Sequence, residues 1–577
     1  MSVRSIMALP LCGVATAWAA PVAAQAQVSS TLGAADCTAL AGKVTWPEAG
    51  TRLQSAVWHD AGPAPAPPRF PGAPEAPTAM LPAHCELIGV IHERTGVDGQ
   101  HYAIRFHLRL PEPWNDRFFM QGGGGTNGEL GDAIGRLSGG AAPALAQGYA
   151  VLSQDSGHDN AVNRVPAKNG ASAFGFDPQA RAEYGGTSLS ASVKAAKAAV
   201  TAFYGRSPKF SYFLGCSKGG QEGMMLAQRY PALFDGIIAG APGFALPRAA
   251  VAEMWDTQAF AQVASAQGAP ITQLSLANSF SAADFALVGK AVLVACDKDD
   301  GAEDGVVGAF TSCTSAKVLP QLAKITCTGT KQDGCLSAAQ VTALRRVHDG
   351  ARDANGQPLY AEFYWDAGWA DMGWRIWKIG GGPVPSINVA MGAPSLAAIF
   401  TTPPTPLPDN FQAKLDFAVH SDFDRDARRI YATGAGFPRS GWTDIGAQST
   451  DLSAFRRRGG KLIVPQGVSD PVFSLADTVR WYQAVDKKTG GQANVFVRLF
   501  AIPGMGHCGG GPATDGYDAF TALVDWVERA RTPDRIEAKA NPTSPWPGRT
   551  RPLCAFPKVA RYKGSGNLED ARSFACS

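Results

Sequence analysis

Short apolar runs that close on glycine and lead into helix-compatible stretches recur between residues 117 and 243. They are RFFMQGGGG, YAVLSQDSGHD, the helical stretch Ser188–Tyr204, SYFLGC, the helical stretch 220–230 and DGIIAGAPG. A buried strand, a tight turn and an amphipathic helix, repeated, fit a parallel sheet with helices packed on its faces. The pattern stops near Gly243 and resumes with GGKLIVPQG at 459–467 and VFVRLFAIPG at 495–504. Neither half has enough strands for a sheet of its own. Residues 245–447 carry short helices, an acidic loop, a Trp-rich stretch and Pro-rich turns such as TTPPTPLP. They therefore read as a domain inserted between strands of an α/β sheet whose two parts span 27–244 and 448–577.

Upstream, ELIGVIHERT and HYAIRFHLRLP within 85–110 alternate as paired antiparallel strands do. Residues 27–80, rich in Ala and Pro, read as an extended surface arm. At the N-terminus, Arg4, the apolar IMALPLCGVATAWAA and the small-residue site Ala24-Gln25-Ala26 make the three parts of a secretory signal over 1–26. Cys12 is not a lipoprotein anchor: Leu11 stands where a small residue is needed, and the apolar stretch before it is too short. With no other stretch of about 18 apolar residues, the mature chain is expected to be exported and to carry no membrane anchor. A formal charge of +3 over 577 residues, with no basic block, argues against a nucleic-acid partner.

Export changes how cysteines are read. Cleavage of the signal removes Cys12 and leaves ten, at 37, 85, 216, 296, 313, 327, 335, 508, 554 and 576. An even number in an oxidising compartment implies disulfides. Ten cysteines allow hundreds of pairings, and spacing suggests only local staples, Cys296 with Cys313 and Cys327 with Cys335.

Gly215-Cys216-Ser217-Lys218-Gly219 is the one G-x-S-x-G match in the chain. It follows an apolar run at 210–214 and precedes a helix, the setting of a nucleophile elbow. A serine hydroxyl needs a base, and the base needs an orienting acid. Downstream of the insertion the sole histidine is His507, in IPGMGHCGGGP after the strand-like 495–502. Asp470, in PQGVSDPVFS, follows the strand-like 462–464. The order Ser, Asp, His, each after a strand, is that of the α/β-hydrolase triad. Oxyanion donors are expected from the amide of Lys218 and from the glycine run 122–125, with Gly125 favoured. Cys508 directly follows the candidate base, as Cys216 precedes the candidate nucleophile. If Ser217 and His507 meet, their cysteine neighbours meet too and oxidise; a free catalytic thiol at Cys216 is the rival reading.

Cysteines beside both the serine and the histidine resemble the tannase and feruloyl esterase family. So do RFFMQGGGGTNG, GHDNAVN, FGFDPQAR, GCSKGGQEGMMLAQRYP, DGIIAGAPG, GVSDPVFS, PGMGHCGGGP and RPLCAFPKVARYKGSG. The resemblance implies an α/β-hydrolase fold with a large inserted lid, and a secreted esterase acting on small aromatic esters. It implies Ser217, Asp470 and His507 as triad, and Gly125 and Lys218 at the oxyanion hole. It also implies the disulfides Cys37–Cys85, Cys216–Cys508, Cys296–Cys313, Cys327–Cys335 and Cys554–Cys576. A rival from another class is a non-catalytic, calcium-dependent secreted binding protein that keeps the hydrolase fold.

CDKDDGAEDGVV, from Cys296, gathers carboxylates that repel one another unless a hard cation neutralises them. A solvated acidic turn is the bland alternative, and the spacing is not that of an EF-hand. The resemblance favours a structural Ca²⁺ held by Asp297, Asp300 and Asp304 with the carbonyls of Ala302 and Val306. Of the lid tryptophans Trp365, Trp369, Trp374 and Trp377, the resemblance places Trp377 against the substrate together with Phe400. A terephthalate monoester would present a carboxylate, which family members of that specificity grip with a lid arginine. Here 379–413 contains no Arg or Lys, and the matching position lies near Ile387. Unless Lys378 reaches in, the missing charge favours a neutral feruloyl, galloyl or hydroxybenzoyl ester.

Overall fold

A computed structural model describes residues 32–65, 78–434 and 436–577; the signal segment 1–26 lies outside them. Its centre is a nine-stranded sheet. In chain order the strands are β1 (Arg52–His59), β2 (Ala83–Thr95), β3 (His101–Glu112), β4 (Arg117–Gln121), β5 (Ala150–Gln154), β6 (Phe210–Cys216), β7 (Gly236–Gly240), β8 (Lys461–Gly467) and β9 (Val497–Ile502). Across the sheet they lie β1-β2-β3-β5-β4-β6-β7-β8-β9. β1, β2, β3 and β5 pair antiparallel in turn. From β5 across to β9 every pairing is parallel. Every residue of β5 and β7 is buried, as parallel strands covered on both faces require.

The helices that cover the sheet bury one face each. In α2 (Ser188–Tyr204) the buried Leu189, Val193, Ala196, Val200 and Phe203 recur at helical spacing. α3 (Lys218–Arg229) follows β6 and packs its glycine-rich face on the strands. One core cluster joins Phe119, Tyr212, Ile238, Ile463 and Phe500, from β4, β6, β7, β8 and β9, to Leu523 and Trp526 of the helix Ala519–Arg529. Each such side chain contributes about 1.5–3 kcal/mol on burial. The core is thus drawn from both sides of the insertion, which is why neither half suffices alone.

β7 and β8 are direct neighbours, with Gly236, Ile237 and Ile238 opposite Lys461, Leu462 and Ile463. Between them the described residues form helices, turns and isolated bridges only. The longest helix there is α4 (Leu246–Ala266). A second cluster packs Val251 and Met254 of α4 with Leu396, Ile399 and Phe400, and against Phe174 and Tyr184 of the sheet-bearing part. Gly33–Ser577 is one compact unit.

Three details differ from the sequence reading. Residues 33–59 are not an extended arm. They form α1 (Ala34–Lys43), whose Cys37 and Leu40 are buried, and then the edge strand β1; the Cys37–Cys85 bond ties α1 to β2. Ala and Pro composition hid a short amphipathic helix and an alternating strand. The helix after the elbow starts at Lys218 rather than Gly220, and β9 starts at Val497, after a short turn at Ala493–Val495. Among the described residues, Gln273–Asp300 is apolar enough by length and composition to cross a membrane, which the sequence reading passed over. Half of its most apolar window is buried in the fold, and it is interrupted at 278–281, between Gln273–Ala277 and Ala282–Cys296.

All five expected disulfides are present: Cys37–Cys85, Cys216–Cys508, Cys296–Cys313, Cys327–Cys335 and Cys554–Cys576.

Candidate active site

Ser217 occupies the turn between β6 and α3 with φ 65° and ψ −120°, a positive-φ conformation that side chains other than glycine rarely adopt. The turn is tight because its neighbours can be. A Cβ on Gly219 would stand 2.7 Å from the Gly123 carbonyl oxygen, so only glycine lets the elbow close on the 122–125 loop.

His507 lies on the loop after β9 and Asp470 on the loop after β8. The His507 Nδ1–H donates to Asp470 Oδ1 at 3.1 Å and Oδ2 at 3.0 Å. Asp470 is buried, and its Oδ1 also accepts the amides of Val472 and Phe473. This fixes the tautomer: the proton sits on Nδ1, and Nε2 keeps a free lone pair. That Nε2 is buried and has no hydrogen-bond partner among the described residues. The rings of Trp377 and Phe473 stand edge-on to His507, with centroids 5.2 and 5.3 Å away. Cys216 and Cys508, one residue from Ser217 and His507, are bonded with their Cα atoms 6.0 Å apart.

Ser217, Lys218, Gly125, Trp377, Phe400 and Glu253 are among the residues lining one narrow cleft. Sequence reasoning expected all of these in the site except Glu253. The amides of Gly125 and Lys218 have no hydrogen-bond acceptor among the described residues, which leaves both free for an oxyanion. At Gly125, Thr126 and Met391 the cleft adjoins an open, polar groove lined by Asn127, Glu129, Gln154 and Asn160. A separate cleft lined by Arg94, His101 and Arg105 lies on the outer strands and contains no serine.

Two buried acids that the sequence reading missed hold the site's loops. Glu222 Oε2 accepts the Gly123 amide at 3.0 Å, and its Oε1 accepts Asn127 Nδ2 at 2.8 Å and Lys218 Nζ at 3.1 Å. Lys218 is fully buried over the Tyr184 ring, and burial depresses its pKa against the opposing pull of Glu222. Asp366, from the inserted segment, accepts the Ser469 hydroxyl at 2.5 Å and the Gly504 amide at 3.3 Å. It thereby ties the loops of Asp470 and His507 to one lid residue; burial raises its pKa.

Lys378 does not reach the cleft as a free cation. Its ammonium is buried and hydrogen-bonded to Asp256, with the Phe363 ring 4.7 Å away. No described residue lining the cleft offers an uncommitted positive charge, since Lys218 is held by Glu222.

In the acidic loop, Asp297 caps the amides of Asp304 and Gly305, and Asp300 caps that of Ala302. Burial first, then the charges of Asp304 and Asp297, push the Asp300 pKa up to about 7. Arg551 pairs with Asp304, and Arg549 and Arg561 donate to the loop carbonyls of Asp304 and Asp299. No cation among the described residues pairs with Asp297 or Asp300. The Val306 carbonyl accepts the Gly308 amide. Among the described residues no group of three or more His, Cys, Asp or Glu side chains is arranged to hold a metal ion as it stands. The donor chemistry, three carboxylates and backbone carbonyls in one tight loop, suits a hard cation, with Arg551 as its competitor.

A family model described as tannase and feruloyl esterase matches residues 85–577. The chain is 44% identical to mono(2-hydroxyethyl) terephthalate hydrolase of Piscinibacter sakaiensis, covering 93% of this chain and 90% of that protein. It is 28% identical to a probable feruloyl esterase of Arthroderma benhamiae, covering 88% of each. In fold it resembles the crystal structure of feruloyl esterase B from Aspergillus oryzae, with a TM-score of 0.73 at 22% identity, over 94% of this chain and all of that one.

Proposed function

Because the chain belongs to the tannase and feruloyl esterase family and is a carboxylic ester hydrolase, we propose that it is a secreted serine esterase that cleaves esters of aromatic acids at Ser217. The His507 Nε2 lone pair takes the Ser217 proton as Oγ attacks the ester carbonyl, and Asp470 stabilises the imidazolium. The amides of Gly125 and Lys218 receive the developing oxyanion. On collapse, His507 returns the proton to the leaving alcohol. Water, deprotonated by the same nitrogen, then releases the aromatic acid and restores the serine.

The observation that carries this reading is the unpartnered Nε2 of a histidine anchored through Nδ1 and packed against Trp377 and Phe473, two rings of the cleft that also holds a strained serine. Ser217→Ala, with folding retained, is expected to abolish turnover, and an organophosphonate is expected to label Ser217 in the wild type. Substantial residual hydrolysis by the variant would sink the assignment.

For the acid, the substrate class is a feruloyl, galloyl or hydroxybenzoyl ester rather than a terephthalate monoester. The support is the cleft's lack of an uncommitted cation for a second carboxylate, with Trp377 and Phe400 lining an aromatic slot. Export is supported by five disulfides, which persist in oxidising compartments. A structural Ca²⁺ at Asp297, Asp300 and Asp304, with the Ala302 and Val306 carbonyls, would neutralise carboxylate charge that Arg551 meets only in part.

A further inference from the structure

The acid that lines the cleft with no assigned role is Glu253. It lies on α4, in the apolar stretch ALPRAAVAEMW, and is 6% exposed. None of the described residues hydrogen-bonds its carboxyl group. It is nonetheless part of the wall that holds Ser217, Trp377, Gly392, Ser395 and Phe400. The carboxyl lies flat against Gly392: a Cβ there would stand 1.8 Å from Glu253 Oε2. One turn along the helix, Asp256 takes the Lys378 ammonium, so that cation is committed elsewhere.

A carboxyl that lines a cleft and spends no hydrogen bond on the protein keeps its oxygens for what enters the cleft. Resting on the reading of this cleft as an aromatic ester site, we propose that Glu253 is the specificity-determining residue of the acyl slot, and that it accepts a hydrogen bond from a phenolic hydroxyl on the substrate's aromatic acid. Once ionised, the same group also discriminates against an acyl ring bearing a carboxylate, which brings no donor and a like charge. Burial pushes the Glu253 pKa up to about 8, against Lys378 and with Asp256, so that the like charge appears only as pH rises through that value. At neutral pH the acid's carbonyl oxygen accepts the phenolic hydroxyl, and in base the ionised group adds repulsion of a carboxylate.

The test compares kcat/KM for the methyl esters of 3-hydroxybenzoate, 4-hydroxybenzoate and unsubstituted benzoate in the wild type, Glu253→Leu and Glu253→Gln. Intrinsic ester reactivity cancels when each hydroxy-to-benzoate ratio is compared between enzymes. Glu253→Leu is expected to lower at least one ratio by about 10- to 100-fold, the value of one hydrogen bond to a buried acceptor. Glu253→Gln, which is isosteric and still offers a carbonyl oxygen, is expected to lower it less. At pH 9 Glu253→Gln is also expected to raise the ratio of terephthalate monoester to benzoate ester about tenfold over the wild type, by removing the like charge. Both hydroxy ratios unchanged in Glu253→Leu, or an unchanged terephthalate ratio in Glu253→Gln at pH 9, would overturn the assignment while leaving the esterase reading intact. A wild type inactive on every ester would overturn the esterase reading itself.

Discussion

His507 donates its Nδ1 proton to both carboxylate oxygens of Asp470, and its Nε2 has no partner among the described residues. An imidazole held this way is a base in a fixed tautomer. Asp470→Asn offers an amide that can donate to Nδ1, which would flip the ring to the Nε2–H tautomer. The expected loss is about 10⁴-fold in kcat with the fold intact. A loss of less than tenfold would count against Asp470 as the orienting acid.

The Cys216–Cys508 bond closes a loop with a sequence separation of 292 and abuts both Ser217 and His507. On the chain-entropy model it contributes about 5 kcal/mol. Cys216→Ala with Cys508→Ala is expected to lower the melting temperature and to reduce kcat more than it raises KM, because the two loops lose their mutual anchor. Thiol titration of the denatured, unreduced mature protein should find essentially no free cysteine; two thiols mapping to 216 and 508 would refute the bond.

Glu222 neutralises the buried Lys218 and holds the Gly123 amide. Glu222→Gln leaves a buried ammonium without its counter-charge, which costs on the order of 3–5 kcal/mol. It also leaves a single acceptor oxygen for the Gly123 amide, Asn127 and Lys218 to share, which loosens the loop that carries Gly125. Calorimetry should therefore show a destabilised protein, and kinetics a fall in kcat. Unchanged melting with unchanged kcat would mean that Lys218 finds another partner.

Glu253 has a folded pKa of about 8 against an ordinary value of 4.5, raised chiefly by burial. The folded state therefore binds the proton more tightly between these values. The stability this gives is full below about pH 4.5 and is lost as pH rises through about 8. Glu253→Gln is expected to flatten the decline of melting temperature across that window. Lys378 and Asp256, which face Glu253, are retained in the variant, so a slope identical to wild type would place the titration elsewhere.

For the acidic loop, added Ca²⁺ is expected to raise the melting temperature of chelator-treated protein and Mg²⁺ to do so less, since the smaller ion demands stricter geometry. Asp300→Asn should blunt the response. No shift with millimolar Ca²⁺ would leave Arg551 as the loop's counter-charge.

The elbow, the positions of Asp470 and His507 after their strands and the point where the sheet is interrupted were legible because each has a local signature: a glycine turn, a lone histidine, a change of periodicity. The five disulfides came from the resemblance and, for Cys216–Cys508, from where the nucleophile and base must meet. Glu222 carried a faint signal, four residues after Lys218 on one helix face. Glu253 carried only its oddity in an apolar helix. Asp366 carried none, because its partners Ser469 and Gly504 are over a hundred residues away and meet it only once the insertion has folded back. Arg549 and Arg551 escaped for the same reason.

That contact has a consequence for how the lid works. Asp366 belongs to the inserted segment, yet it bonds to the loops that present Asp470 and His507. Whatever free energy the lid lends to aligning those loops, the aligned loops return to the lid in equal measure, since coupling between two parts of one molecule is reciprocal. On the proposed mechanism, the inserted segment would therefore be a structural member of the proton-transfer apparatus as well as a wall of the cleft. Exchanging lids between members of the family would change turnover as well as selectivity.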